Sequence, residues 1–171
     1  MAKGGVRIRD KDRGMKRIRS VLRQAQMRRK VVVVGWLDDG KGGEDHDAAD
    51  GLTVAQLAAV HEYGAEIETT NGTIVIPARA PLRTTMDEQR DANVKKLRVL
   101  ATAVLEGRIE LDKALNIFGV DMVGQVVKRI RVGLPPPNAP STIARKGSSK
   151  PLIDTAQLVQ SVQHIVRERE A

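Results

Sequence analysis

Apolar positions along this chain change their spacing several times, and each change predicts a different element. Met15, Ile18, Leu22 and Ala25 recur at three- and four-residue intervals with Arg and Lys between them, which predicts an amphipathic helix over residues 10–28 with a narrow apolar stripe. The helical period then stops. Val31 to Leu37 is short and β-branched and predicts a buried strand, and the polar, glycine-rich run from Asp38 to Asp47 reads as a loop. Thr53 with Gln56 three residues later forms a capping box. Val54, Leu57, Ala58 and His61 then share one face until Gly64, which predicts a helix over 54–63. Ile67, Asn71-Gly72, Ile74 and Ile76 predict a hairpin turning at Asn71-Gly72, ended by Pro77 and Pro81.

Two long helices are predicted next. Leu82, Met86, Leu97, Leu100 and Val104 give an imperfect stripe to about Glu106, with Gly107 as the break. Leu111, Leu115, Phe118, Met122, Val126 and Ile130 give a cleaner one. Gly119 and Gly124 weaken that second helix by about 1 kcal/mol each relative to Ala unless something packs closely on them. From Gly133 to Pro151 the composition turns to Pro, Gly, Ser and Asn, with Pro135, Pro136 and Pro137 in a row. This stretch is read as a loop without regular helix or central strand, and its length predicts a segment ordered by a partner. Asp154 is expected to cap a short helix through Leu158, and Val162 to Arg167 to form a last strand. No internal repeat is evident. The predicted fold is α+β: a small, mainly antiparallel sheet packed with two long helices, a basic N-terminal helical arm and a long Pro-rich loop.

Composition sharpens this picture at three points. A chain of 171 residues suits one domain with a real core. The absence of cysteine excludes disulfides, thiolate nucleophiles and cysteine zinc sites, and suits a reducing cytoplasm. No run approaches the roughly 18 apolar residues of a membrane span, and the first residues lead into charges and not into a signal-peptide core, so a soluble, non-secreted protein is expected. The net charge of +8 is concentrated: residues 1–30 hold twelve Lys or Arg against Asp10 and Asp12, a net +10, which leaves −2 for residues 31–171. Residues 1–30 are therefore read as a basic arm on a near-neutral body, seeking nucleic acid or an acidic protein face. With only Trp36, Tyr63 and Phe118 as aromatics, the chain lacks the material for a base-stacking platform.

Enzymatic motifs are incomplete. Gly35 to Gly42 nearly spells a nucleotide-binding loop, but Gly42 stands where Ser or Thr would bind magnesium, and Asp38 and Asp39 would face the phosphates, so an exposed turn is expected. His61-Glu62 is half of a zinc-protease helix whose second histidine is replaced by Ala65, and His61 reads as a packing residue, as does His164. Asp45, Asp47 and Asp50 lack the register of a calcium loop. Ser141, Thr142 and Ser148 lie beside Arg145, Lys146 and Lys150 with no histidine close in sequence to activate them, which favours an extended interaction arm; a nucleophile assembled from distant residues stays open. No catalytic, cofactor-binding or metal-ligating residue is assigned. On charge, the candidate partner-binding residues are Arg17, Arg23 and Arg28 in the arm and Arg145, Lys146 and Lys150 in the loop.

Several short segments, each weak alone, together resemble the tailed-bacteriophage neck and tail-completion proteins, virion morphogenesis proteins of the tail-joining type. They are Val34-Gly35-Trp36-Leu37; Thr53 to Ala58 leading to His61-Glu62-Tyr63-Gly64; Ile76-Pro77-Ala78-Arg79; Pro136-Pro137-Asn138-Ala139-Pro140-Ser141-Thr142; and Lys146-Gly147-Ser148 with Pro151 to Thr155. The resemblance spans about residues 31–166 and leaves the arm out. It departs from the family where Ala80-Pro81 stands in place of Pro-Phe, and where Ala156 replaces a glycine. It implies a noncatalytic virion protein of the neck, assembled in the host bacterial cytoplasm as a homo-oligomeric ring, expected to be a hexamer. The ring would complete the tail end, contact tail-tube or head-connector proteins, and let DNA pass without sequence-specific binding. It adds Arg79, Pro136, Pro137 and Asn138 to the candidate partner-binding residues. A duplex DNA-binding protein using the basic arm is the second reading; a toxin or regulatory adaptor stays open, and a nucleotide enzyme is remote.

Overall fold

A computed structural model describes residues 13–28, 30–38, 41–45, 47, 51–70, 72–146, 152 and 156–168. In chain order the elements are α1 (Arg13–Arg28), β1 (Lys30–Gly35), α2 (Val54–Tyr63), β2 (Ala65–Thr69), β3 (Gly72–Ile76), α3 (Pro81–Glu88), α4 (Arg90–Leu105), α5 (Leu111–Val132), α6 (Pro140–Lys146), α7 (Gln157–Gln160) and β4 (Gln163–Glu168). The class is α+β, with all strand pairing antiparallel. The strands form two separate ribbons: β1 pairs with β4, Val32 opposite Val166, and β2 pairs with β3, Ile67 opposite Ile74.

α5 is the central rod. It lies against the β1–β4 ribbon and against α3, α4 and α7. The main core gathers Val54 and Ala58 of α2, Val126 and Ile130 of α5, Leu134, Leu152, Leu158, Val159 and Val162, with Trp36, Leu82 and Met86 packed on its margin. A smaller buried set, Ala103, Val104, Ala114 and Met122, lies on α4 and α5. Gly119 is where the ribbon comes closest: a Cβ there would fall within 3.0 Å of three atoms of the His164 ring. The glycine that weakens the helix is thus the one that admits β4, and His164 Nε2 lies 3.2 Å from Asn116 Oδ1 one turn earlier. Gly124 has open space around it.

Four expectations need correction. The single helix expected over 82–106 is two, interrupted at Gln89 (φ −101°, ψ 6°), where the run after Met86 offers no large apolar residue until Val94. The first strand ends at Gly35, where φ is +155°, so Trp36 and Leu37 leave the ribbon. In the hairpin, Thr69 pairs with Gly72, which makes Gly72 the first residue of β3 and moves the turn one residue earlier than Asn71-Gly72. The Pro-rich segment is not wholly irregular: Pro140 opens the short helix α6, a position where the missing N–H costs nothing. The capping box at Thr53, by contrast, is as expected, with Gln56 N–H donating to Thr53 Oγ1 and Thr53 N–H to Gln56 Oε1. The short helix α7 begins after Ala156, and Asp154, expected to cap it, lies outside the described residues.

α1 lies along α4. Arg17 reaches over Gly107 to Glu110, with 3.5 Å between guanidinium and carboxylate. α1 is therefore laid on the body and not held away from it.

Candidate functional site

Three of the segments that carried the resemblance, His61 to Gly64, Ile76 to Arg79 and Pro136 to Asn138, meet at one junction, built around two buried charged residues. α3 starts at Pro81 behind Ala80, a residue with no side chain able to cap a helix. The cap comes from elsewhere in the chain. Glu62 is buried at the end of α2, and its carboxylate accepts from Leu82 N–H at 2.9 Å, Arg83 N–H at 3.1 Å and Arg83 Nε at 3.0 Å. Arg83 also donates to the Glu62 carbonyl and stacks over the Tyr63 ring, 5.2 Å from its centroid. An anion at the start of a helix is stabilised by the unpaired amides there and by the helix dipole. The Glu of His61-Glu62 is thus engaged as a remote helix cap.

The second charge is Arg79, 8 % exposed. Its Nε donates to the Pro136 carbonyl at 3.0 Å, and Nη2 donates to the Pro137 carbonyl at 3.5 Å and to Asn138 Oδ1 at 3.3 Å. Burial draws the guanidinium below the usual arginine range. The proline run leaves carbonyls without a helix or sheet to pair them, and the planar fork of an arginine suits several acceptors at once. Behind Arg79, the backbone N–H groups of Arg79 and Ala80 both donate to the His61 carbonyl. Gly64 allows this approach: at φ +80°, a Cβ on it would stand 3.0 Å from Ile76 O and Ala78 N.

Ala80 sits at φ 45°, ψ 56°, a left-handed conformation that the ring of a proline would forbid. Pro81 is fully buried.

The Val34 to Leu37 and Thr53 to Ala58 segments are tied to the same body, while Gly147-Ser148 and most of Pro151 to Thr155 lie outside the described residues. Trp36 Nε1 donates to the Leu158 carbonyl at 2.7 Å, and Gln163 Nε2 to the Leu37 carbonyl at 3.1 Å. Gly42 is buried against the backbone of Trp36 and Leu37; its carbonyl accepts from Ala55 N–H and that of Glu44 from Val54 N–H. The expected exposed turn is in part a buried one, and the first amides of α2 are all engaged within the chain. Among the described residues no three His, Cys, Asp or Glu converge as a metal-ligand set, and no helix is long and apolar enough to cross a membrane.

Of the candidate partner-binding residues, the structure brings Arg79, Pro136, Pro137 and Asn138 together, but in contact with one another. Asn138 and Leu134 are buried in their own chain. The expectation that the whole of Gly133–Pro151 lies on a neighbour is corrected for residues 134–138: the Arg79 clamp holds them down. Pro136 and Pro137 keep exposed rings. Arg17 and Arg23 are exposed on α1; Arg28 lies at its end, and Arg145 and Lys146 lie in α6, their side chains outside the described set, as is Lys150 altogether. Sequence reasoning missed Glu62 as a cap and Arg79 as a clamp. A proline at the first position of a helix preceded by a residue that cannot cap it was the available signal. Compared with family models, curated proteins and solved structures, the chain matches none.

Proposed function

We propose that this chain is a noncatalytic structural subunit of the neck of a tailed phage, forming a ring that completes the tail end and supports joining to the head. One observation supports the reading above the others. Three of the segments picked out by resemblance, His61 to Gly64, Ile76 to Arg79 and Pro136 to Asn138, meet at Arg79, whose side chain holds the proline run and whose N–H donates to the His61 carbonyl. A chance set of short matches has no reason to converge in this way. The polar groups of the incomplete enzyme motifs have structural employment: Glu62 caps α3, and the Gly42 carbonyl caps α2. What remains outward is suited to partners: a basic α1, an apolar hairpin and the α6 segment.

The second reading, duplex DNA binding, is favoured by Lys16, Arg19 and Arg23, all exposed on α1. Light scattering and electron microscopy of purified protein, with and without duplex DNA across a salt series, separate the two. The neck reading expects closed rings without DNA, and association that survives moderate salt. A protein that stays monomeric and binds DNA with an affinity falling steeply with salt would overturn it in favour of the second.

A further inference from the structure

The β2–β3 hairpin presents an uncovered apolar face. Register places Ile67 opposite Ile74 on one side of the ribbon, and they are 46 % and 54 % exposed. Beside them Val75 is 63 % exposed on the other side. A two-stranded ribbon is marginally stable by itself, and clustered exposed apolar residues on one mark a surface that something covers.

The same chain carries a groove of complementary character. It is a cavity of about 480 Å3, lined by Val32 and Val34 of β1, Met86 of α3, Val94 and Leu97 of α4 and Phe118 of α5. Val94 and Leu97 are each 41 % exposed, although they sit at the centre of a helix face that the rest of the fold would be expected to cover. The charges match. The hairpin holds Glu66 and Glu68 and no Lys or Arg, whereas α4 carries Arg90, Lys95, Lys96 and Arg98 against Asp91. Thr73 donates to Glu68, and Lys96 is taken by Asp121. Glu66 lies opposite Val75, on the ribbon face away from Ile67 and Ile74, so the match is one of net charge between the hairpin and α4, whose Arg90 stands on the groove rim with Asp87 beside it.

We propose that the hairpin of one copy of this chain seats its Ile67–Ile74 face in the β1–α3–α4–α5 groove of the next copy, which brings the acidic hairpin beside the basic α4. The inference rests on the ring reading and deepens it, because two different surfaces of one chain meeting in this way give a head-to-tail contact that closes into a ring when the rotation permits. Apolar burial supplies the attraction, and the opposite net charges of hairpin and α4 favour the approach.

The absence of native cysteine makes the test direct. Ile74→Cys and Val94→Cys each replace an exposed side chain, so both variants should fold, which circular dichroism checks. Under mild oxidation each variant alone should remain monomeric on a denaturing gel, their mixture should give a covalent dimer, and the doubly substituted chain should give a ladder ending at the ring. A dimer from Ile74→Cys alone would mean that hairpins pair with each other, and would overturn the proposal. A fast-migrating internally bridged monomer from the double variant would mean that the hairpin covers its own groove, and would overturn it too. If the mixture gives no cross-link while light scattering still finds rings, the interface lies elsewhere and only this inference fails. If neither cross-links nor rings form, the ring reading fails with it.

Discussion

At the scale of single residues, identical amino acids take opposite meanings from what faces them. Gly119 and Gly124 lie in the same helix and have the same cost in helix propensity, about 1 kcal/mol relative to Ala. Around Gly124 a Cβ meets nothing within 4 Å, whereas at Gly119 it meets the imidazole of His164. Gly124→Ala should therefore stabilise the protein by about 0.5–1 kcal/mol, through the lost freedom of the unfolded chain. Gly119→Ala gains the same propensity but must push β4 off α5, an overpacking that costs about 1–3 kcal/mol, so it should destabilise on balance. Urea unfolding of the two variants gives the sign of each. Stabilisation by both would mean that His164 swings aside freely and that the ribbon does not depend on this contact. Glu62 and Arg79 carry the same lesson for charge. Both are ionisable groups buried near the end of α2, the setting in which catalytic groups are sought. In each case the bonds they make are to the amides and carbonyls that the backbone leaves unpaired.

At the scale of elements, what local pattern determines was legible and what distant contact determines was not. The capped helix 54–63 was readable to the residue because its cap, periodicity and stop are all within a dozen positions. The ribbon of β1 with β4 joins Lys30 to Glu168 across most of the chain, and β-branching suggests each strand without naming its partner. The same limit hid the junction. The prolines correctly excluded a sheet centre, but nothing local says that the carbonyls of Pro136 and Pro137 would be taken up by an arginine 57 and 58 residues earlier. A consequence can be measured. Arg79→Lys keeps the charge but removes the planar fork, so one ammonium cannot serve both carbonyls and Asn138. The segment from Gly133 to α6 should then open more often while the main core stays intact. A loss of about 1–2 kcal/mol in the free energy of local opening corresponds to roughly 5–30-fold faster cleavage by trypsin at Arg145 or Lys146. Unchanged cleavage would show that Leu134 holds the segment without the clamp.

At the scale of the whole molecule, charge and stability are separated. The net +10 lies in residues 1–30, yet among the described residues the buried core is drawn from 54–162 and includes none of α1. Nothing in the folding of the body requires twelve basic residues at one end, and their mutual repulsion opposes packing them together, so their use is outward. The contact of α1 with α4 places that helix and adds little: Arg17 and Glu110 keep side chains 42 % and 84 % exposed, the setting in which an ion pair contributes at most about 1 kcal/mol. Half-buried Ile18 and Val21 add a modest apolar contribution. Deleting residues 1–28 should therefore leave a folded body with a melting temperature lower by about 2–8 °C, the shift expected for about 1–2 kcal/mol in a chain of this size. Association should suffer far more than stability. The truncated chain has lost its basic surface, so salt should affect its assembly less than that of the full chain, because screening acts on exposed charges before it touches apolar contacts. Calorimetry and light scattering on the two proteins, across one salt series, read both effects. A truncated chain that fails to fold would make α1 part of the core. One that assembles as well as the full chain, with the same salt response, would remove the arm from the interface and leave its charge free for the DNA that the second reading assigns to it.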